Sequence, residues 1–105
     1  MPNEKNKWID AVAKLVTLTQ ERKLLWRAAD YPFSGLQADY AGKVLRLQTI
    51  NDDGVTYARL QLQQPDSLEV WEFPYSEANE HLMEAARYQV VGVGDFLDEL
   101  LSKTA

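Results

Sequence analysis

The chain has 105 residues, a length that fits one domain with one hydrophobic core, and its hydrophobic fraction of 46% is typical of a folded globular protein. It contains no cysteine, which excludes disulfides, thiolate catalysis and every zinc site built on cysteine. The net charge of −5 combines a basic segment, residues 1–29, with an acidic remainder. An acidic body argues against binding nucleic acid, which depends on neutralising phosphates.

The sequence shows neither a membrane span nor a secretion signal. No apolar run approaches the ~20 residues that a membrane-spanning helix needs. The N-terminal stretch MPNEKNKW has no apolar signal-peptide core. We therefore expect a single domain over residues 1–105, located in the cytoplasm and without membrane contact.

The first predicted element is a helix over Lys7–Leu18. Its apolar side is formed by residues at helical spacing, namely Trp8, Val12, Leu15 and Thr19. The stretch KLLWRA then predicts a short first strand. Its alternate residues form the buried face of that strand: Leu24, Trp26 and Ala28.

Three further strands follow in LQADY, KVLRLQTI and VTYARLQLQ, separated by turn residues at Ala41-Gly42 and in NDDG. Glycine is typical of such turns because it accepts positive φ. QPDS then leads into a fifth strand within LEVWEFPY, Leu68 to Tyr75. The spacing of strands and turns predicts an antiparallel meander.

The hairpin around NDDG can close with four or with two loop residues. Both choices keep the same residues on the core face, because the two registers differ by two positions. That face is predicted to hold Leu36, Ala38, Leu45, Leu47, Leu60, Leu62, Trp71 and Phe73. We expect Trp71 to lie opposite Leu60 and to be mostly buried. With the four-residue loop, Arg46 and Arg59 would lie side by side on the outer face.

Two helices are predicted after Pro74. Ser76 is a good N-cap for the first of them, and acidic residues in its first turn suit the helix dipole. Gly92 and Gly94 break the pattern, and a short last helix follows. Its predicted buried side consists of Phe96, Leu97, Leu100 and Leu101. The order of one helix, about five antiparallel strands and two C-terminal helices predicts an α+β fold with helices packed on one sheet face.

The sequence offers no set of residues that points to catalysis. His81 is the only histidine, close in sequence to Glu77, Glu80 and Glu84. A lone histidine without cysteine is more typical of a solvated side chain than of a metal ligand. In GVGDF, Leu97 occupies the position of the third glycine of a dinucleotide-binding loop. We predict no catalytic residue, no cofactor and no metal site.

An L-x-W strand followed by DYAGKVLRL, YARLQL and a final FLDELL resembles small bacterial proteins of unassigned function. Those proteins are built as a β-meander framed by helices. The resemblance covers most of the chain, and the residues that carry it are fold residues. It implies the meander fold and transfers no site and no activity.

The outer face of the predicted sheet mixes apolar residues with tyrosine and arginine. A strand face that meets only water would be polar at every outward position, whereas tyrosine and arginine are typical of interface centres. The predicted partner-binding residues are Val44, Arg46, Tyr57, Arg59, Leu68 and Val70.

We therefore expect a non-enzymatic module that works through a protein partner or through self-association as a homodimer. One alternative is a small-ligand-binding or enzymatic protein with a pocket between sheet and helices. An enclosed polar pocket around His81 or Tyr75 would favour that alternative. The other alternative is an acidic inhibitor that mimics nucleic acid.

Overall fold

The computed structural model of the protein describes residues 4–67 and 69–102. Its elements, in chain order, are α1 (Glu4–Gln20), β1 (Arg27–Ala28), β2 (Leu36–Tyr40), β3 (Lys43–Asp52), β4 (Val55–Gln63), β5 (Val70–Glu72), α2 (Glu77–Val91) and α3 (Val93–Ser102). This order confirms the predicted α+β class. Across the described ranges, no helix is long and apolar enough to cross a membrane.

The strands form one antiparallel sheet in the order β1-β2-β3-β4-β5. Asp52 pairs with Val55, so β3 and β4 are joined by a two-residue turn. Both turn residues, Asp53 and Gly54, have positive φ, 53° and 84°. Positive φ at both positions is the hairpin turn whose twist matches that of the flanking strands. Of the two loop lengths that the sequence left open, the two-residue loop is present.

This register separates Arg46 from Arg59 on the outer face. Arg46 lies opposite Gln61, and Arg59 lies opposite Gln48. The side-by-side placement predicted for the four-residue loop is therefore wrong. The physical reason is the tight turn, which shifts β4 by two residues along β3 and leaves every side chain on its predicted face.

Trp71 is also shifted by two positions, and it is only partly buried. It pairs with Leu62 rather than Leu60, because β4 ends at Gln63 and β5 begins only at Val70, a wider spacing than the predicted turn allows. β5 has three residues and lies at the sheet edge. There Trp71 packs on Trp8, with ring centroids 4.6 Å apart, and stays 43% exposed. The expectation that Trp71 is mostly buried is wrong.

The core lies between the sheet and the paired helices α1 and α2. Its buried members are Val12, Leu15, Leu18, Leu24, Trp26, Ala38, Leu45, Leu47, Ala58, Leu60, Phe73, Leu82, Met83 and Ala86. Trp26, at 6% exposed, is the larger of the two aromatic residues in this buried set. Ala28, predicted to share its face, is exposed, because β1 is a two-residue strand at the other sheet edge.

One polar side chain of α2 fastens the segment between α1 and β1. The Gln89 amide donates to the carbonyl oxygens of Thr19, at 3.0 Å, and Leu24, at 2.8 Å. Its Oε1 accepts the backbone N–H of Trp26 at 2.7 Å. The Trp26 indole N–H donates to the Thr19 hydroxyl at 3.0 Å. Gln89 thereby binds three backbone groups at this junction and holds α2 against it.

The ends of α2 fall where the sequence placed them. Ser76 occupies the N-cap position, although its hydroxyl makes no capping hydrogen bond. At the other end, Gly92 has φ 78° and its N–H bonds to the carbonyls of Tyr88 and Gln89. Glycine adopts this left-handed conformation without steric cost, so the helix stops there.

Candidate functional site

The outer face of the sheet, opposite α1 and α2, carries one group of the predicted contact residues. Val44 pairs with Gln63, which in turn pairs with Val70. Arg46 lies two residues along β3 from Val44 and therefore points to the same face. The structure thus brings Val44, Arg46 and Val70 together. Leu68 lies outside the described residues.

Tyr57 and Arg59 lie farther along β4, and both are already engaged within the chain. Arg59 Nε donates to Gln48 Oε1 at 3.1 Å and lies 3.8 Å from a carboxylate oxygen of Glu72. Tyr57 packs edge-on against Tyr75 with ring centroids 5.8 Å apart. These two predicted contact residues are therefore half-buried and separate from the group around Arg46.

Glu80 closes the edge of β4 beyond the end of β5. Its Oε2 accepts the backbone N–H of Ala58 at 2.8 Å and the hydroxyl of Tyr75 at 2.9 Å. The hydrogen bond to this carboxylate raises the pKa of Tyr75, because tyrosinate cannot donate it. Tyr75 is 56% exposed and lies on the surface rather than in an enclosed pocket.

Arg46 is a buried arginine with no carboxylate partner among the described residues. Its residue exposure is 7%, and its guanidinium carbon lies 3.7 Å from the centre of the Phe33 ring. Nη1 donates to Gln63 Oε1, whereas the buried Nε–H has no acceptor in residues 4–67 and 69–102. Burial lowers the pKa of the Arg46 guanidinium below its usual value, and the charge of Asp30 partly opposes this.

A concavity of about 400 Å³ opens in front of Arg46. It is lined by Phe33, Val44, Arg46, Gln63, Pro65, Asp66 and Ser67. Gln63 Nε2 donates to the carbonyl of Ser67 at 2.7 Å, which fixes the amide whose oxygen meets Arg46. The chain's own loops therefore form the walls around part of the predicted contact face.

Phe33 was missed by the sequence interpretation, which assigned it to no strand or helix and to no site. The available signal was an aromatic residue inside the turn-forming stretch YPFSG. A large aromatic ring in an exposed turn is expected to pack over a neighbouring group. Here it covers a guanidinium, and arginine is the cation that most often stacks on aromatic faces.

α3 exposes the apolar side that the sequence placed in the core. Exposure is 62% for Phe96, 41% for Leu97, 49% for Leu100 and 68% for Leu101, and no residue of α3 is buried. The predicted buried side is wrong, because Gly92 turns the chain so that α3 meets α2 rather than the core. An exposed ion pair between Arg22 and Asp95, 3.3 Å long, tethers its first turn.

An apolar groove of about 280 Å³ lies beside the end of α2. Its lining residues are Gly35, Leu36, Leu47, Thr49, Met83, Arg87, Val90 and Val91. Val90 and Val91 are 42% and 74% exposed and continue the apolar surface toward α3. Arg87 is exposed at this groove, and no described residue forms an ion pair with it.

A third hollow, of about 550 Å³, lies between the end of α1, α2 and the start of α3. His81, Glu84 and Tyr88 contribute to its wall, but the hollow is partly open to solvent. Gln89, which also lines it, is committed to backbone groups. In residues 4–67 and 69–102, no group of three His, Cys, Asp or Glu side chains is placed to hold a metal ion.

No protein-family model matches the chain, and neither curated proteins nor solved structures give a match. Function is therefore inferred from the side chains of this molecule alone.

Proposed function

We propose that the protein is a non-enzymatic protein-interaction module whose contact element is α3. The observation that carries this proposal is the apolar stripe of α3, whose four large side chains are 41–68% exposed. A contiguous exposed apolar surface of this kind marks interaction sites on soluble proteins. At 100° per residue, Asp95 falls opposite the stripe and Asp98 and Glu99 flank it, so α3 is strongly amphipathic.

Burial of the α3 stripe by a partner would lower the free energy. Complete burial of one large apolar side chain is worth about 1.5–3 kcal/mol. Because the four side chains are already about half-covered, a partner that covers the rest gains roughly 3–6 kcal/mol from them. A helix of ten residues is also marginal by itself, so a partner would stabilise its conformation.

The partner that we propose for α3 is a second copy of this chain. The groove at the end of α2 is apolar, as the stripe is, and its rim carries the cationic Arg87. α3 carries acidic residues beside its stripe, so unlike charges would meet where α3 of one copy lies in the groove of the other. A twofold arrangement would use both grooves and both helices.

Sedimentation equilibrium of wild type, Phe96→Glu and Ser102→Glu tests the proposal. Phe96 lies in the stripe and Ser102 on the polar side of the same helix, and both variants add one negative charge to α3. We expect a wild-type dimer that Phe96→Glu weakens at least tenfold, which is about 1.4 kcal/mol. Ser102→Glu should associate as wild type does.

Two results would contradict the proposal. If the wild-type chain stays monomeric at its highest soluble concentration, the proposed self-association through α3 is wrong. Equal weakening by both variants would show that charge, rather than the stripe, controls association. Far-ultraviolet circular dichroism of both variants establishes that the fold is retained.

A small-ligand site is the second candidate, favoured by the hollow beside His81. Its volume of about 550 Å³ lies within the range of small-molecule sites. Its opening to solvent and the engagement of Gln89 weigh against it. Fragment screening by NMR would support it if shifts cluster at His81 and Tyr88. Mimicry of nucleic acid has only the net charge in its favour.

A further inference from the structure

Arg46 differs from the other arginines of the outer sheet face. Arg27 lies 3.6 Å from a carboxylate oxygen of Asp30 and 3.4 Å from one of Asp39. Arg59 lies 3.8 Å from Glu72. Arg46 is the more buried residue, yet no described carboxylate lies within ion-pair distance of it. A buried cation whose charge is offset only by carboxylates beyond ion-pair distance is costly, so this site favours the arrival of an anion.

The contacts of the Arg46 guanidinium leave space in the plane of the group, where its N–H donors point. The Phe33 ring occupies one face of the guanidinium, and its hydrogen-bond donors project from the edges rather than the faces. Gln63 accepts from Nη1 and is itself fixed by the Ser67 carbonyl. The concavity of about 400 Å³ gives space for a ligand beside these edges.

We propose that the Arg46 concavity is a carboxylate-binding site that takes an aspartate or glutamate side chain of a protein partner. A planar carboxylate matches the fork of guanidinium donors in two parallel hydrogen bonds. Val44 and Pro65 would contact the methylene groups of the incoming side chain. The inference rests on the proposed interaction function for the nature of the partner, but it uses a different surface from α3.

Asp66 sets the selectivity of this site. Its exposed carboxylate shares the wall with Arg46, so it repels anions, most strongly those with more than one charge. The net charge of −5 acts in the same direction. A singly charged carboxylate is therefore favoured over phosphate. Removing the Asp66 charge should tighten carboxylate binding.

The test follows the Nε–Hε NMR signal of Arg46 during titration with glutamate capped as N-acetyl and N-methylamide. We expect a saturable shift of this signal, and binding at least about tenfold weaker for capped glutamine, which lacks the charge. Asp66→Asn should bind capped glutamate more tightly. Arg46→Lys keeps the charge but loses the planar fork, so it should bind at least about tenfold more weakly.

Arg59→Gln is the matched control, since it removes an arginine of the same sheet face that already has Glu72 as a partner. It should leave the Arg46 titration unchanged. The inference would be overturned if the Arg46 signal of wild type did not shift, or if capped glutamate and capped glutamine shifted it equally. Both results come from the wild-type protein, so they do not depend on whether a variant folds. Tighter binding of inorganic phosphate would overturn the choice of a protein carboxylate.

The same titration on Phe96→Glu separates this inference from the role of α3. The variant should lose self-association and retain the Arg46 shift. An absent shift in a wild-type protein that dimerises through α3 contradicts the carboxylate site alone. A retained shift in a wild-type protein that never dimerises contradicts only the role of α3.

Discussion

Replacing Gln89 with leucine should loosen the junction between α1 and β1. The change keeps the size of the side chain and removes three hydrogen bonds of 2.7–3.0 Å to backbone groups. Each such bond contributes about 0.5–1.5 kcal/mol net, and a partner left dry and unpaired costs more. Because the site is partly buried, we expect the free energy of unfolding to fall by about 2–4 kcal/mol. That is a large part of the ~5–15 kcal/mol that stabilises a domain.

Urea unfolding followed by circular dichroism measures this loss. With a slope of about 1–2 kcal/mol per molar for a small domain, the midpoint should fall by about 1–4 M. Gln61→Leu is the control, because Gln61 is also half-buried but its side chain makes no hydrogen bond in the described structure. If Gln89→Leu loses less than about 0.5 kcal/mol, the range of an ordinary surface substitution, the junction is not held by Gln89.

Tyr75 should ionise above its usual range, because its hydrogen bond to Glu80 raises the pKa of the phenol. An absorbance titration of Tyr75→Phe should therefore lose a component at high pH. The raised pKa stabilises the fold below the unfolded-state pKa, and this contribution should vanish as pH rises through the folded-state pKa. Trp26→Ala should lower the free energy of unfolding by about 3–5 kcal/mol, whereas Trp71→Ala should lower it by roughly half as much, since Trp71 is 43% exposed. Equal losses for the two variants in urea unfolding would contradict this difference. Gly35→Ala should lower the melting temperature more than alanine at the turn glycine between β2 and β3, because its Cβ would collide with a backbone carbonyl of β3.

Alternation along the strands predicted which residues face the core, but it could not predict cross-strand neighbours. A shift of two residues keeps every side chain on its face, so the hydrophobic pattern fits a two-residue and a four-residue turn equally well. The choice was made by Asp53 and Gly54, both at positive φ. The wrong pairing of Arg46 with Arg59 follows from that ambiguity.

Periodicity likewise predicted that one side of α3 is apolar, but not what that side contacts. A helix that packs on its own core and a helix that packs on a partner have the same amphipathic pattern. The difference lies in Gly92, whose left-handed conformation directs α3 to α2. For Arg46, the outward strand position was predicted, whereas its burial depends on Phe33 from a separate loop. Contacts between residues that are distant in sequence, such as this stacking, cannot be read from the local sequence pattern.

α3 and the Arg46 concavity belong to different sides of the sheet. α3 packs against α2 on the helical side, whereas Arg46 lies on the face opposite α1 and α2. A dimer formed through α3 would therefore leave both concavities free and carry two carboxylate sites. Linked sites raise apparent affinity only for a partner that carries two acidic segments at a matching distance. A single capped glutamate should thus bind monomer and dimer alike, because it contacts one Arg46 at a time, and only a bivalent acidic peptide should distinguish the two states.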